Sequence, residues 1–169
     1  MRGTSTERLD IRVATAADLP TLCDLLGILF SQETEFQPNV DQQRHALEQL
    51  LAMPHAATIW VAREAGQIVA MLSLQYVIST ALGGRVAWLE DVIVHPQARG
   101  RRIGERLLKH ALESARGEGC LRVSLLTDAE NTGAQRFYQR QGFVPSTMRA
   151  MRWIAASQCA SAAQDQFDE

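Results

Sequence analysis

The sequence predicts a mixed α/β fold in which a mostly antiparallel sheet is flanked by helices. The first observation is a meander: residues 58–64 and 67–79 have the composition of strands joined at Ala65-Gly66, and residues 85–94 follow as a third strand. The second is a helical pattern after this strand that leads to another strand, which requires a parallel crossover connection. Antiparallel neighbours and one parallel neighbour together make a mixed sheet.

Each element follows from hydrophobic periodicity and from residues that break it. Alternation predicts a first strand over 9–15, and leucines at helical spacing predict helices over 16–30 and 41–53, the second ended by Pro54. After the meander, the predicted elements are a helix over 102–118, a strand over 121–127, a helix from Asn131 to Gly142 and a last strand over 147–154.

Composition predicts one domain over residues 1–155 with a flexible tail over 156–169. An apolar content of 46% and a charged content of 21% are typical of a soluble globular protein. The net charge of -2 gives no case for nucleic acid or membrane as a partner. No signal peptide or membrane-spanning run is present, and three widely spaced cysteines have no metal-like spacing. We therefore expect a cytoplasmic protein without a metal site.

Four arginines lie at or near the start of the helix that follows Pro96. The helix dipole favours acidic residues at that position, so the sequence breaks a local rule, and such breaks are expected at functional sites. Free backbone N–H groups at a helix start and nearby guanidinium groups together suit a phosphorylated anion. The arginines concerned are Arg99, Arg101, Arg102 and Arg106.

The stretch Arg99-Gly-Arg-Arg-Ile-Gly104 resembles the pyrophosphate loop of the GCN5-related N-acetyltransferase (GNAT) superfamily. The family pattern is Arg or Gln, two residues, Gly, one residue, then Gly or Ala at a helix start; here Arg102 stands where the pattern prefers Gly. The stretch Asn131–Phe143 carries a second resemblance, through its Asn, Ala, Phe-Tyr and Gly-Phe at the family's spacing. The resemblance covers residues 9–154.

The resemblance implies a GNAT-like acyl-CoA N-acyltransferase fold, with a sheet splayed between its fourth and fifth strands. Acetyl-CoA, as co-substrate, would lie in that splay and pair with the fourth strand. The implied cofactor-binding residues are Val92, Ile93, Val94, Arg99, Gly100, Arg101, Arg102, Ile103, Gly104, Asn131 and Tyr138.

Two adjacent acids, Glu90 and Asp91, lie inside an apolar strand, where an unpaired buried carboxylate is costly. Neighbouring strand residues point to opposite faces unless a bulge intervenes, so at least one acid is expected to face a cleft. The resemblance implies that an acid here deprotonates the amine, often through water, and that Glu90 has the family's usual position. Asp91 and water stay open as the base. In the alternative interpretation, both acids pair with arginines at the sheet surface.

The resemblance also implies that Tyr138 meets the cofactor sulfur and assists the leaving thiolate. The alternative for Tyr138 is simple packing beside Phe137. Glu33 and Glu35 belong to a polar loop after the first helix. They are either a solvated loop or a small acidic patch that attracts a cationic amine.

The function implied is direct, acetyl-CoA-dependent transfer of an acetyl group to an amine of a small molecule or peptide. A homodimer is compatible with the family resemblance. One alternative is a non-catalytic CoA-binding sensor or assembly module, against which the presence of both Glu90 and Tyr138 argues. Another is nucleotide or RNA binding by the basic loop, which is less favourable because few aromatic residues are interleaved with the arginines.

Overall fold

The computed structural model describes residues 9–33 and 35–155. These residues form five strands and four α-helices, with short 3₁₀ turns at Ala16–Asp18 and Pro96–Ala98. In chain order the elements are β1 (Asp10–Val13), α1 (Leu19–Gln32), α2 (Val40–Ala52), β2 (Ala57–Glu64), β3 (Gln67–Ser79), β4 (Gly84–Val94), α3 (Ile103–Gly117), β5 (Val123–Ser124) and α4 (Thr132–Arg140).

The strands form one sheet in the order β1-β2-β3-β4-β5. The first four are antiparallel neighbours, and β5 runs parallel to β4. A parallel strand needs a crossover, and α3 supplies it. The predicted mixed, mostly antiparallel sheet flanked by helices is therefore confirmed.

Two apolar clusters hold helices on opposite faces of the sheet. Alternate residues of β3 divide between them: Met71 packs in the cluster of α1 and α2, and Leu72 packs in the cluster of α3. Both side chains are fully buried. Because side chains of a strand alternate between faces, one strand can anchor both helical layers. The sheet therefore has a different helical layer on each of its two faces, which we call the α1/α2 face and the α3 face.

The predicted hairpin at Ala65-Gly66 is confirmed, with left-handed φ values of 48° and 80° at its two turn residues. β3 has the predicted limits, Gln67–Ser79. β5 is much shorter than the predicted strand over 121–127, since only Val123–Ser124 pairs with β4. A strand exists only where a ladder partner is within reach, and the chain leaves β4 after these residues.

The predicted last strand over 147–154 is wrong, because these residues have no regular secondary structure. Their apolar side chains stay exposed: Met151 retains 95% of its accessible surface and Trp153 88%. The two-residue β5 offers too short an edge for another strand. The predicted tail over 156–169 lies outside the described residues. Among residues 9–33 and 35–155, no helix has the length and apolar character needed to cross a membrane.

Candidate active site

A β-bulge in β4 changes the direction of its acidic residues. Met71 of β3 pairs with Ile93, but Ser73, two residues on, pairs with Glu90. β4 therefore has one more residue than β3 in this interval, and Asp91 takes a left-handed φ of 56°. A bulge leaves its extra residue outside the ladder and turns side chains in new directions. This bulge is the exception that the sequence analysis allowed for, so the adjacent acids need not point to opposite faces.

Ser73 shows which face the acids share. Its side chain is fully buried, and its position two residues after Met71 places it on the α1/α2 face. The Ser73 hydroxyl lies 3.4 Å from Asp91 Oδ2 and 3.5 Å from the main-chain oxygen of Glu90. Glu90, which pairs with Ser73 across the ladder, lies on the same face.

Within the described part of the chain, neither acid forms an ion pair with an arginine, which argues against the surface ion-pair interpretation. Burial, followed by the charge of Glu90, raises the pKa of Asp91 to about 6, although its hydrogen bond with Ser73 acts in the opposite direction. Burial also raises the pKa of Glu90. Carboxyl groups with raised pKa values are stronger bases than ordinary carboxylates, which suits them to accept a proton near neutral pH.

Tyr138 is positioned by the capping and packing of α4. Asn131 caps this helix as predicted, since its Oδ1 accepts from the Ala134 N–H at 3.0 Å. The Tyr138 ring packs edge-on against Phe137 and Phe143, at centroid distances of 5.2 Å and 5.8 Å. Burial and then the charge of Glu33 raise the pKa of Tyr138 to about 12. Its hydroxyl therefore stays protonated at neutral pH and can donate a hydrogen bond.

The loop before α3 takes a shape suited to an anion. Gly100 has a φ of 77°, and Arg102, the N-cap residue, has a left-handed φ of 59°. This conformation is least strained for glycine, which explains why the family pattern prefers Gly at this point. No side chain caps α3, and its first main-chain bond is from the Arg106 N–H to the Arg102 oxygen at 3.1 Å. The N–H groups of the first turn are therefore free to bind an anion.

The three arginine side chains of the loop contact protein groups. The contacts are Arg99 Nε to the Val94 oxygen (3.0 Å), Arg99 Nη2 to Gln32 Oε1 (3.3 Å), Arg101 Nη1 to Glu64 Oε2 (2.6 Å) and Arg102 Nη2 to Glu105 Oε1 (2.6 Å).

Gly104 lets α3 approach the end of β4. A Cβ at this position would lie 3.1 Å from Val94 Cγ2 and 3.8 Å from Phe137 Cζ. The first of these distances is too short for unstrained carbon contact. Gly104 thus has a packing role inside the protein as well as its place in the phosphate-loop pattern.

The splay implied by the resemblance is present between β4 and β5. Pairing ends at Trp88 with Ser124, whereas β4 continues to Val94. The end of β4 that carries Val92, Ile93 and Val94 therefore has no strand beside it on that edge, within the part of the chain described. The acids flank this opening on the α1/α2 face, and Tyr138 packs with the cluster of the α3 face.

Sequence reasoning missed two residues of this region, Ser73 and Gln32. Ser73 gave a weak signal, as a hydroxyl within the apolar run Met71-Leu-Ser-Leu74. Gln32 gave no signal in the sequence, because its partner Arg99 is distant along the chain and their contact depends on how α1 packs against the loop before α3.

The sequence profile described as the acetyltransferase (GNAT) family matches residues 22–143. The chain belongs to this family. The family and its relatives assign it acetyl transfer to an amine, so it is an N-acetyltransferase.

Curated relatives and solved structures agree with this membership. Glucosamine 6-phosphate N-acetyltransferase 1 of Oryza sativa is 44% identical over 66 residues, which cover 39% of this chain and 38% of that protein. Aminoalkylphosphonate N-acetyltransferase of Salmonella typhimurium is 29% identical over 140 residues, 83% of this chain and 88% of that protein. The structure of a putative acetyltransferase from Agrobacterium tumefaciens has a TM-score of 0.73 at 32% identity, covering 85% of this chain and 99% of that one.

Proposed function

We propose that this N-acetyltransferase takes its acetyl group from acetyl-CoA and passes it directly to a primary amine. The observation that carries the proposal is the opening between β4 and β5. The edge of β4 beyond Trp88 has no strand beside it within the described residues, and Gly104 brings the uncapped start of α3 against Val94 and near Phe137, the neighbour of Tyr138. Glu90 and Asp91 lie on the same strand. These are the groups that direct acyl transfer from a thioester to an amine requires.

In this proposal, main-chain groups hold the donor. The end of β4 binds the pantetheine arm by strand-like pairing, the start of α3 binds the diphosphate, and Asn131 supports the site by capping α4. The residues assigned to donor binding are Val92, Ile93, Val94, Arg99, Gly100, Arg101, Arg102, Ile103, Gly104, Asn131 and Tyr138. A main-chain N–H near Ile93 or Val94 would stabilise charge that builds on the carbonyl oxygen.

The acid pair on β4 acts as the base. An alkylamine with a pKa of about 10 is mostly protonated at pH 7 and must lose a proton before it can attack. Glu90, directly or through water, is the base that the family resemblance favours. Asp91 is the alternative, supported by its pKa of about 6, which is closer to the optimum for a base at neutral pH. Ser73 orients Asp91 in either case.

Tyr138 stabilises the leaving sulfur. A phenol of pKa about 12 is a much weaker acid than a thiol, whose ordinary pKa is about 8.5. We therefore propose that the hydroxyl donates a hydrogen bond to the developing thiolate, and that full proton transfer is not needed for the bond to break. The ammonium gives one proton to the acid pair before it attacks, and the nitrogen loses a second proton as the C–N bond is completed and the C–S bond breaks. Both protons pass to solvent, and the departing thiolate takes one up from solvent to become free thiol.

The test is release of free thiol from acetyl-CoA by the purified chain with a panel of amines. Wild type is expected to release thiol with at least one amine. Replacement of the base, Glu90→Gln or Asp91→Asn, should lower kcat by about 10²–10⁴-fold. The variant with the larger loss, and with a changed acidic limb in its pH profile, identifies the base.

Acetyl-CoA binding by calorimetry without thiol release for any amine would favour the non-catalytic sensor or assembly module. If both acid variants keep wild-type activity and wild-type acetyl-CoA binding, the acid pair has no role in the mechanism. A homodimer and a cytoplasmic location stay predictions, and light scattering on the purified chain tests the first.

A further inference from the structure

Trp88 lies on the same face of the sheet as Glu90, two residues before it. The register between β3 and β4 is regular from Gly84 to Glu90, and it pairs Trp88 with Gln75 and Glu90 with Ser73. Side chains two residues apart on a strand share a face, and their Cα atoms are roughly 6.6 Å apart. Trp88 is therefore on the α1/α2 face, next to one of the two acids of the proposed base.

The helices leave this part of the α1/α2 face open. Met71 and Ile93 are the buried residues through which β3 and β4 join the cluster of α1 and α2, and neither Trp88 nor Val77 is among its described members. Val77 follows Gln75 by two residues, so it is a diagonal neighbour of Trp88 on the same face, within reach of an aromatic ring. Trp88 keeps 39% of its accessible surface and Val77 keeps 49%.

A third apolar side chain, that of Leu126, borders this area from the β5 side. Val123 and Leu125 pack in the cluster of the α3 face, so Ser124 and Leu126 between and after them are directed to the α1/α2 face. Ser124 pairs with Trp88, and Leu126 keeps 58% of its accessible surface. We call this exposed area the Trp88 patch; it consists of Val77, Trp88 and Leu126.

The chemistry of the Trp88 patch favours an apolar occupant. Exposed apolar side chains that lie together mark surfaces where something binds. None of the three can form an ion pair, so a second charged group placed on them would lose water without gaining a charged partner. An aromatic ring or a branched alkyl group would instead remove apolar surface from water. Because Glu90 lies directly beyond Trp88 on this face, a molecule held there by its nitrogen would lay its body on the patch.

We infer that the acceptor is a primary amine with an apolar body, either an aromatic ring or a branched alkyl group, and that Trp88 binds this body. The amine nitrogen lies beside Glu90 and Asp91, and the short distance to Trp88 along β4 limits the spacer to a few carbon atoms. This inference rests on the proposed acetyl transfer, and it makes Trp88 a specificity-determining residue.

The experiment compares amines with different bodies in the thiol-release assay. The amines are 2-phenylethylamine, 1-amino-3-methylbutane, 2-aminoethanol and 1,4-diaminobutane. The value of kcat/KM for 2-phenylethylamine should exceed that for 2-aminoethanol by about 10–10²-fold, because burial of a phenyl group contributes a free energy of that size. The diamine tests whether a second charge is preferred on the patch, and it should rank below both apolar amines. This comparison needs only the wild-type chain.

The variant Trp88→Thr assigns the preference to a residue. Threonine suits a strand, so it removes the ring without opposing the fold of β4. The variant should raise KM for 2-phenylethylamine about tenfold or more with little change in kcat, and Trp88→Phe should restore most of the wild-type KM. Val77→Thr, a substitution of similar shape, should raise the same KM about two- to fourfold. Ile78→Thr is the matched control, at an exposed position on the opposite face, and should change neither constant.

Several outcomes overturn the inference. If 2-aminoethanol or 1,4-diaminobutane is the best acceptor, the inference fails and acetyl transfer stays in place. It also fails if Trp88→Thr lowers kcat/KM equally for all four amines, because Trp88 would then not recognise the body of the acceptor. A dimer in light scattering that Trp88→Thr converts to a monomer would mean that a second copy of the chain covers the patch, which again overturns it. No thiol release with any amine, despite calorimetric binding of acetyl-CoA, would overturn the proposed function itself.

Discussion

Asp91 combines two features that lower the stability of the folded chain. Its backbone is left-handed, with a φ of 56°, and that conformation costs a non-glycine residue roughly 1–2 kcal/mol, less for Asp and Asn. Its carboxyl is also partly buried next to Glu90, with no cationic partner among residues 9–33 and 35–155, and its pKa is raised to about 6. Costs of this kind persist at sites where function requires them. Asp91 is therefore a residue at which stability and activity should change in opposite directions.

We predict that Asp91→Asn stabilises the fold at pH 8. The folded state holds the Asp91 proton up to a pKa of about 6, whereas the unfolded state releases it near 3.9. Wild type therefore loses stability as pH rises through this window, and the loss persists above it. Asn keeps the shape without the charge, so the gain at pH 8 should be on the order of 1–3 kcal/mol and should vanish below about pH 4.

Urea unfolding at pH 4 and pH 8 measures this difference. Asp24→Asn, at an exposed position of α1, is the control and should show no comparable dependence on pH. An Asp91→Asn variant less stable than wild type at pH 8 would contradict the unpaired-charge interpretation of this residue.

Tyr138 and Tyr76 are the chain's two tyrosines, so each is a control for the other. Tyr138→Phe keeps the contacts with Phe137 and Phe143 and removes the hydroxyl. A hydrogen bond to a charged group contributes about 1.5–3 kcal/mol, so kcat should fall about 10–10²-fold with little change in acetyl-CoA affinity. Tyr76→Phe, whose ring lies 3.5 Å from the Arg85 guanidinium, should keep kcat. Steady-state kinetics on both variants measures the change in kcat. If Tyr138→Phe has the kcat of wild type, the Tyr138 ring has a packing role only.

At the scale of elements, the start of α3 is set by two positions with different requirements. Arg102 needs a left-handed backbone, and Gly104 needs the absence of a side chain next to Val94. Glycine would suit both, but only the second position has it. The arginine at the first is tolerated because its side chain points away to Glu105, and main-chain groups are unaffected.

We predict that Arg102→Gly retains acetyl-CoA binding, whereas Gly104→Asp loses it. Gly relieves left-handed strain of roughly 1–2 kcal/mol but adds about 0.5–1 kcal/mol of chain entropy and loses an exposed ion pair, so stability should change by less than about 1 kcal/mol. Gly104→Asp brings a negative charge to the proposed diphosphate site.

Calorimetry of acetyl-CoA binding compares these variants with Gly104→Ala, which introduces the contact with Val94 without the charge. We expect Asp to weaken binding at least tenfold more than Ala. Equal affinities of the two variants would mean that the diphosphate does not bind at this helix start.

How far sequence predicts an element depends on whether its determinants are local. β3 was predictable to the residue because its apolar run and the Ala65-Gly66 turn before it are both contiguous in sequence. The bulge at Asp91 was not, since it is a mismatch between two strands and neither strand shows it alone. The strand over 147–154 was predicted wrongly because its composition suits a strand, but β5 provides no edge long enough to pair with it.

At the scale of the whole molecule, the sheet separates two groups of proposed catalytic residues. The α1/α2 face holds Glu90 and Asp91, to which our proposal assigns the amine proton, and Tyr138 packs on the α3 face. The opening after Trp88 and Ser124 is the place where the two faces meet. Sequence motifs predicted the acids and the tyrosine separately. Their meeting at one opening depends on where β4 and β5 separate, and no local sequence pattern specifies that point.

Donor binding should stabilise the whole molecule. We predict that acetyl-CoA at a hundred times its dissociation constant adds about 2.7 kcal/mol to the free energy of unfolding, because it binds only the folded chain. For a chain of 169 residues, this corresponds to a rise in Tm of roughly 5–11 °C. At equal ligand concentration, the stabilisation should be larger for acetyl-CoA than for adenosine 3′,5′-bisphosphate, which lacks the pantetheine arm that pairs with β4 in our proposal and should bind less tightly. Thermal unfolding with each compound makes the comparison, and the Gly104→Asp variant is the control that should respond to neither. An unchanged Tm at saturating acetyl-CoA would show that the opening between β4 and β5 is not a donor site.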